Sequence, residues 1–298
     1  RPVVAVQHHH AHIAACLAEN GRPAGAPPVV GIAMDGLGLG PDETVWGGEV
    51  LVADYRGYER AAALKPVPLP GGNAASREPW RNAYAHLCAA MGWPDAAAYA
   101  DVPAIARLAA KPLPTLDAMM ARGLNTPLSS SCGRLFDAAA ALCLFAFDGQ
   151  SYEGEAAMRF EAAIDRSALA DPSEAYPFAI ASEDGRLWID PTPLWRCLLD
   201  DCRAGEPVGR VAARFHRGLS EAIVTVASRI ARERGLDTIA LSGGCFQNKA
   251  LFSLVHDGLV SQKLSVLSHC RVPANDGGLS LGQAVVALAH VEGGLSCA

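Results

Sequence analysis

The chain has 298 residues, of which 50% are hydrophobic and 19% are charged, and its formal net charge is −6. This composition is typical of a globular protein with a large core, and the acidic balance argues against a nucleic-acid partner. Because no apolar run reaches the ~18 residues of a membrane span, we expect no membrane association.

The nine cysteines are scattered, and no two of them form a C-x-x-C pair. This spacing indicates neither a disulfide framework nor a zinc ribbon. We therefore predict a protein of the reducing cytoplasm in which most thiols are small buried hydrophobic groups. Cys132 and Cys245 adjoin glycine turns, where a helix dipole can lower a thiol pKa, so a cysteine nucleophile is an alternative that we weigh and reject.

Residues 7–20 form the first predicted helix, and four histidines, at positions 8, 9, 10 and 12, lie near its start. Histidines at i and i+4 share one helix face, so His8 and His12 can bind one divalent metal ion. Two other interpretations remain open, an expression tag and a solvated helix face that is rich in histidine. His9 and His10 are candidates for packing residues or for deprotonating a thiol.

A buried strand over 29–34 and a second strand over 45–52 follow, joined by a glycine-rich hairpin. Glycines let backbone N–H groups approach an anion, and Asp35 can bind a metal there. Residues 61–127 are predicted to be mostly helical and peripheral.

Polar residues return at 129–137 and lead into a predicted helix over 138–145, and residues 150–158 open another. For Asp137, Glu153 and Glu155, ordinary capping at a helix start is the alternative to a functional role.

The C-terminal half contains the strongest fold signal. A strand over 187–191 precedes a long amphipathic helix over 208–234, whose apolar stripe is predicted to be core. A strand over 237–241, a Ser-Gly-Gly turn and a helix over 249–259 then form a βαβ unit with the strand over 264–267. Such a turn places free N–H groups at a helix N-terminus, which favours an anion.

Taken together, the motifs resemble the C-terminal, Kae-like carbamoyltransferase domain of the HypF family of hydrogenase maturation proteins. The matching motifs occur in family order along almost the whole chain. They are Gln7-His8-His9-His10-Ala11-His12, Asp35-Gly36-Leu37-Gly38, Trp46-Gly47-Gly48-Glu49, Leu64-Lys65-Pro66-Val67, Pro79-Trp80-Arg81-Asn82, Ser131-Cys132-Gly133-Arg134-Leu135-Phe136-Asp137, Ser151-Tyr152-Glu153-Gly154-Glu155-Ala156-Ala157-Met158, Ser242-Gly243-Gly244 with Asn248, and Asp276-Gly277-Gly278.

The resemblance implies an α/β, actin-like ATPase (ASKHA, RNase H-like) fold with two lobes. We expect residues 1–125 to form the remainder of a first lobe that is incomplete at its N-terminus, with a helical insertion at about 61–125 and completion by residues 275–298. Residues 126–274 would form the second lobe. The modules that precede this domain in the family do not match any part of the chain, so we expect either a fragment of a longer protein or a first lobe that is completed in another way.

The resemblance also implies a set of site residues. The metal ligands would be His8, His12, Asp35 and Asp276, and His8, His12 and Asp276 would be catalytic. The residues facing the nucleotide would be Gly36, Gly47, Gly48, Asp137, Glu153, Gly154, Gly243, Gly244 and Asn248. The cofactors would be a divalent metal, iron or zinc, with magnesium as an alternative beside a nucleotide, and ATP or carbamoyl-adenylate.

The expected function is transfer of a carbamoyl group from carbamoyl-adenylate, supplied by a YrdC-like domain, to the C-terminal cysteine of HypE during hydrogenase maturation. One alternative is a TsaD-like or O-carbamoyltransferase with another acceptor. The other is a nucleotide-binding docking module without turnover.

Overall fold

The protein is described by a computed structural model that covers residues 3–292. Nine strands of this part of the chain form a single sheet. The strands are β1 Val29–Leu39, β2 Val45–Ala53, β3 Tyr58–Leu64, β4 Val67–Pro68, β5 Leu128–Ser129, β6 Ala179–Glu183, β7 Arg186–Asp190, β8 Thr238–Ser242 and β9 Ser265–Leu267.

Helices pack on both faces of this sheet. They are α1 His8–Glu19, α2 Asn73–Arg77, α3 Pro79–Met91, α4 Trp93–Ala97, α5 Pro103–Ala109, α6 Leu113–Arg122, α7 Cys132–Leu142, α8 Glu155–Ala162, α9 Arg166–Ala170, α10 Thr192–Ala204, α11 Val208–Arg234, α12 Lys249–Ser261 and α13 Leu279–Glu292, with 3₁₀ turns at Gly244–Gln247 and Asp276–Gly278. No helix within the described residues is both long and apolar enough to cross a bilayer.

The strand order is β6-β7-β3-β2-β1-β8-β9. β2 is antiparallel to β1 and β3, whereas β8 is parallel to β1 and to β9. The mixed sheet with helices on both faces confirms the predicted α/β class. The predicted helix over 208–234 is α11, and the βαβ unit is β8-α12-β9.

The alternation of side chains along β1 places the core on both faces of the sheet. Val29 and Ala33 pack with α1 and α13, whereas Val30 and Ile32 belong to the larger core that includes α7 and α11. α1 and α13 approach closely at Gly282, where any Cβ would collide with the backbone of Ala11. This contact holds the histidine helix against the segment that follows Asp276.

The strand pairing differs from the predicted lobe boundary. β1 pairs with β8 at Val30 and Ile239, so one sheet contains strands from both 1–125 and 126–274. The reason is that a parallel pair is joined by a long crossover, which brings strands together that are far apart in sequence. The predicted contribution of 275–298 can be followed only to residue 292, since 293–298 lie outside the described residues.

The predicted helical insertion begins too early. Ala61, Ala62 and Ala63 belong to β3, a central strand paired with β2 and β7, and all three are buried. Alanine favours helices by intrinsic propensity, but sheet pairing and burial outweigh that preference here. The helical part of the insertion, α2 to α6, lies between residues 73 and 122.

Candidate functional site

The histidine helix presents His8 and His12 on one face, as their spacing predicts. The helix begins after Gln7, whose side chain accepts a hydrogen bond from the His10 backbone N–H. The Nε2 atoms of His8 and His12 are 3.2 Å apart. His12 is buried, whereas a fifth of the His8 side chain (20%) is exposed.

Asp35 reaches these rings from an irregular part of β1. The register between β1 and β2 shifts between Met34 and Gly38, so Gly36 and Gly38 of the predicted hairpin lie within the strand, whereas Gly40 lies in the turn. Oδ2 of Asp35 lies 3.0 Å from Nε2 of His8 and 3.2 Å from Nε2 of His12. Oδ1 of Asp35 accepts a hydrogen bond of 2.9 Å from the Gly244 N–H.

Asp276 completes the group from the short 3₁₀ turn that precedes α13. The Asn275 side chain caps this turn by accepting a hydrogen bond from Gly277 N–H. Oδ1 of Asp276 is 3.4 Å from Nε2 of His8 and 3.4 Å from Nε2 of His12. One ligand atom from each of the four residues therefore lies within 4.8 Å of the others.

This four-residue cluster (His8, His12, Asp35 and Asp276) fits a divalent metal ion. Ligand atoms at ~2.1 Å from an ion are separated by ~3.0 Å at octahedral angles and ~3.4 Å at tetrahedral angles. The 3.0 to 3.4 Å separations that involve the two rings fall in this range. Two imidazole nitrogens and two carboxylates suit iron, zinc or manganese.

The charges of the cluster favour a cation at its centre. Burial on its own lowers the pKa of His12, but hydrogen bonds with Asp276 and Asp35 outweigh it and raise this pKa to about 9. Burial tends to raise the pKa of Asp35, whereas its hydrogen bonds with His12 and His8 bring it far below the usual value. In the protein alone a proton on His12 offsets the two carboxylates, and a metal ion would replace that proton.

A cavity of about 640 Å³ opens beside the cluster, and Asp35 and Asp276 line it. Six of the nine residues that are predicted to face a nucleotide also line this cavity. They are Gly36, Asp137, Glu153, Gly154, Gly244 and Asn248.

Gly47, Gly48 and Gly243 are not part of the cavity lining, which differs from the sequence-based prediction. A Cβ at Gly47 would lie 2.8 Å from the Asp35 carbonyl oxygen, and one at Gly48 would lie 2.6 Å from that of Ser130. Gly243 has φ +100°, and its Cβ would meet the Met34 backbone. These glycines let neighbouring backbone segments pack closely around the site.

Asp137 lies in the middle of α7 and is fully buried, so it is not a helix-start cap. Burial raises its pKa to about 6, although the nearby Arg134 opposes this shift. Oδ2 of Asp137 is 2.9 Å from Nε of Arg134, without hydrogen-bond alignment. Glu153 precedes α8 and Glu155 is the first residue of that helix. Neither side chain caps it, because Glu155 accepts its hydrogen bond from the Ser151 N–H, which lies ahead of the helix.

Arg134 lines the cavity, although the sequence predicted no role for it beyond its place in a matching motif. Its side chain is only 5% exposed, and its Nη1 has no hydrogen-bond partner among the described residues. A buried guanidinium with a free donor can bind an anionic ligand. The signal in the sequence was an arginine three residues before Asp137 on the same helix face.

His216 is a second residue that sequence reasoning missed. Its ring is fully buried, Nδ1 donates to the Ala212 carbonyl oxygen at 2.7 Å, and Nε2 accepts from Nδ2 of Asn248 at 2.8 Å. Oδ1 of Asn248 in turn caps α12 by accepting from Leu251 N–H. His216 therefore sets the orientation of a side chain that lines the cavity.

The remaining candidates, His9, His10 and Cys245, are not part of the four-residue cluster. His9 is fully buried with Nδ1 3.1 Å from the Gln7 amide, and Nε2 of His10 lies 2.7 Å from the Asp54 carbonyl oxygen. A hydrogen bond with Cys132, together with burial, raises the pKa of Cys245 well above its ordinary value. A thiol held in this protonated form is a poor nucleophile.

Comparison with known proteins identifies relatives of the chain. Residues 31–283 match the sequence model of the family described as "Carbamoyltransferase, Kae1-like Domain, second subdomain". The chain is 47% identical to carbamoyltransferase HypF of Rhodobacter capsulatus over 98% of the chain and 36% of that protein. It is 43% identical to a carbamoyltransferase HypF homolog of Cupriavidus necator over 96% of the chain and 71% of that protein.

A solved structure shows the same fold. The crystal structure of full-length HypF in the phosphate- and nucleotide-bound form superposes with a TM-score of 0.85 at 37% identity, covering 97% of this chain and 43% of that one. The predicted Kae-like, actin-like fold class is thereby confirmed. The chain spans about a third of the R. capsulatus relative.

Proposed function

Since the chain belongs to the HypF family of Kae1-like carbamoyltransferase domains, we propose that it transfers a carbamoyl group from carbamoyl-adenylate to the C-terminal cysteine of HypE. The product would serve synthesis of the cyanide ligand of nickel–iron hydrogenase, and a YrdC-like domain would supply the adenylate. One observation carries this proposal. The four-residue cluster adjoins the cavity that is lined by six residues predicted to face a nucleotide.

The proposed step exchanges an oxygen for a sulfur on the carbamoyl carbon. The thiolate sulfur attacks this carbon, the bond to the phosphate oxygen breaks, and AMP leaves with the electron pair. His8, His12, Asp35 and Asp276 would hold a divalent cation, which supplies positive charge beside the phosphate when bound.

The residues of the cavity would position the adenylate. The guanidinium of Arg134 has a free N–H donor for an anhydride or phosphate oxygen. The carboxylates of Asp137 and Glu153 can accept hydrogen bonds from ribose hydroxyls. The Asn248 amide, held by His216, can donate its second N–H to the ligand.

The test is metal retention and transfer in His8→Ala and His12→Ala. We expect both variants to lose bound metal and to lose transfer from synthetic carbamoyl-adenylate to a peptide with the HypE C-terminus. His256→Ala, which removes a surface histidine of α12, is the matched control and should behave as wild type.

Three outcomes contradict the proposal. Wild-type metal content and turnover in both variants would remove the metal assignment. Nucleotide binding in calorimetry without transfer by the wild-type protein would indicate a docking module. Transfer to another acceptor, such as tRNA, and not to the peptide would indicate the TsaD-like or O-carbamoyltransferase alternative.

A further inference from the structure

Behind His12, on the side away from the four-residue cluster, three buried polar side chains form a row. Oγ of Ser242 lies 3.4 Å from Nδ1 of His12 and 2.8 Å from Nε2 of His269. Nδ1 of His269 lies 2.7 Å from Oε1 of Glu19. Neither Ser242, His269 nor Glu19 lines the cavity, so none of the three is placed to touch a substrate.

Glu19 ends this row as an anchored carboxylate. Its oxygens accept hydrogen bonds from three consecutive backbone N–H groups, those of Cys270 at 3.1 Å and of Arg271 and Val272 at 3.0 Å. Burial tends to raise the pKa of Glu19, but these hydrogen bonds and the adjacent His269 lower it below its usual value. The group is therefore an ionised carboxylate, which only accepts hydrogen bonds.

The anchored carboxylate determines where the protons of the row lie. Nδ1 of His269 must carry a proton, because a bare nitrogen 2.7 Å from a carboxylate oxygen would be repelled, although the N–H is not well aligned with that oxygen. Burial lowers the pKa of His269, which keeps the ring neutral, so its Nε2 accepts the Ser242 hydroxyl proton. The oxygen of Ser242 is then left to accept a proton from Nδ1 of His12.

We propose that Ser242, His269 and Glu19 are positioning residues that hold His12 with its proton on Nδ1, so that Nε2 offers its lone pair to a cation. This inference rests on the proposed metal site. Nε2 of His12 faces Asp35 and Asp276 at 3.2 and 3.4 Å, which is where a shared ion would bind. Hydrogen bonding at the second nitrogen orients a histidine ligand and raises its basicity.

The row is assembled by three separate parts of the chain. Glu19 is the last residue of α1, Ser242 ends β8, and His269 follows β9. The parallel pairing of β8 with β9 brings the ends of these strands together beside α1. The Ser-Gly-Gly motif thus has a further role, in which its serine supports the metal ligand while Gly244 binds Asp35.

The experiment measures zinc affinity and histidine protonation separately. We expect Ser242→Ala to bind Zn²⁺ roughly 10–100-fold more weakly than wild type, the usual cost of losing such a partner. Ser220→Ala in α11 is the matched control, because it also removes a buried serine hydroxyl, one that donates to the Arg217 carbonyl oxygen. This variant should keep wild-type zinc affinity. NMR of the ¹⁵N-histidine-labelled, zinc-free wild-type chain should show His269 with its proton on Nδ1.

Each result decides between the proposals. Zinc binding by wild type with equal affinity in Ser242→Ala overturns this inference and leaves the metal site intact. A proton on Nε2 of His269 overturns it as well, even if Ser242→Ala does not fold. Wild-type protein that binds no zinc, iron or manganese overturns the metal site and, with it, this inference.

Discussion

Burial of His216 should make the protein lose stability in mild acid. The ring is fully buried, and burial lowers its pKa from 6.5 to about 4, against a weaker opposing effect of its bond to Ala212. Below pH ~6.5 the unfolded chain binds a proton at this residue while the folded chain does not until pH ~4. The stabilisation is therefore complete above pH ~6.5 and is lost as the pH falls toward 4.

The size of the effect follows from the two pKa values. With 6.5 in the unfolded chain and about 4 in the folded chain, lowering the pH from ~7.5 to ~5 should reduce the free energy of unfolding by roughly 2 kcal/mol through this residue alone. His86 is also buried and uncharged, and burial lowers its pKa to about 3. Its contribution is present in every variant of His216 and cancels in the comparison.

The assay is urea denaturation of wild type and His216→Gln at both pH values. Glutamine does not titrate, so the stability difference between the two proteins should shrink by roughly 2 kcal/mol at the lower pH. His256→Gln, a change at a partly exposed ring, should leave the pH dependence of wild type unaltered. Parallel pH dependences for wild type and His216→Gln would refute the reasoning.

Two further predictions concern the cavity and its surroundings. Arg134→Gln should weaken binding of a non-hydrolysable nucleotide by roughly 10–100-fold, since a hydrogen bond to a charged group contributes about 1.5–3 kcal/mol. Arg159→Gln, which removes the exposed partner of the buried Glu155 and lies outside the cavity lining, should keep wild-type nucleotide affinity. Equal nucleotide affinities of Arg134→Gln and wild type in calorimetry would contradict a ligand role for Arg134. Gly48→Ala should cost about 1–3 kcal/mol of unfolding free energy, because its Cβ meets Ser130 and Leu64. Thermal unfolding measures this cost, and Gly57→Ala, which adds a Cβ in open space, should cost far less. A Gly48→Ala variant that keeps wild-type stability but loses nucleotide binding would instead indicate that Gly48 contacts the phosphate directly.

The sequence by itself determined the features that depend on neighbours along the chain. The His8 and His12 pair follows from helix geometry, in which residues i and i+4 share a face. The span of α11 follows from the 3.6-residue period of its apolar stripe, and β8-α12-β9 follows from strand, turn and helix signals in order. The hairpin pattern marked Asp35 as a possible metal ligand, but its placement and that of Asp276 beside the histidines came only from the ordered motifs of a resembling family, because nothing local relates them to the histidines.

Only the tertiary structure decided which distant residues meet. Ala61, Ala62 and Ala63 have helical propensity, yet β3 forms because β2 and β7 offer paired edges. The contacts of Ser242 with His269 and of His269 with Glu19 likewise depend on β8 and β9 ending beside α1. No residue spacing in the sequence predicts these contacts. Backbone pairing across the sheet sets these positions, so the partners of His12 became visible only once the chain was folded.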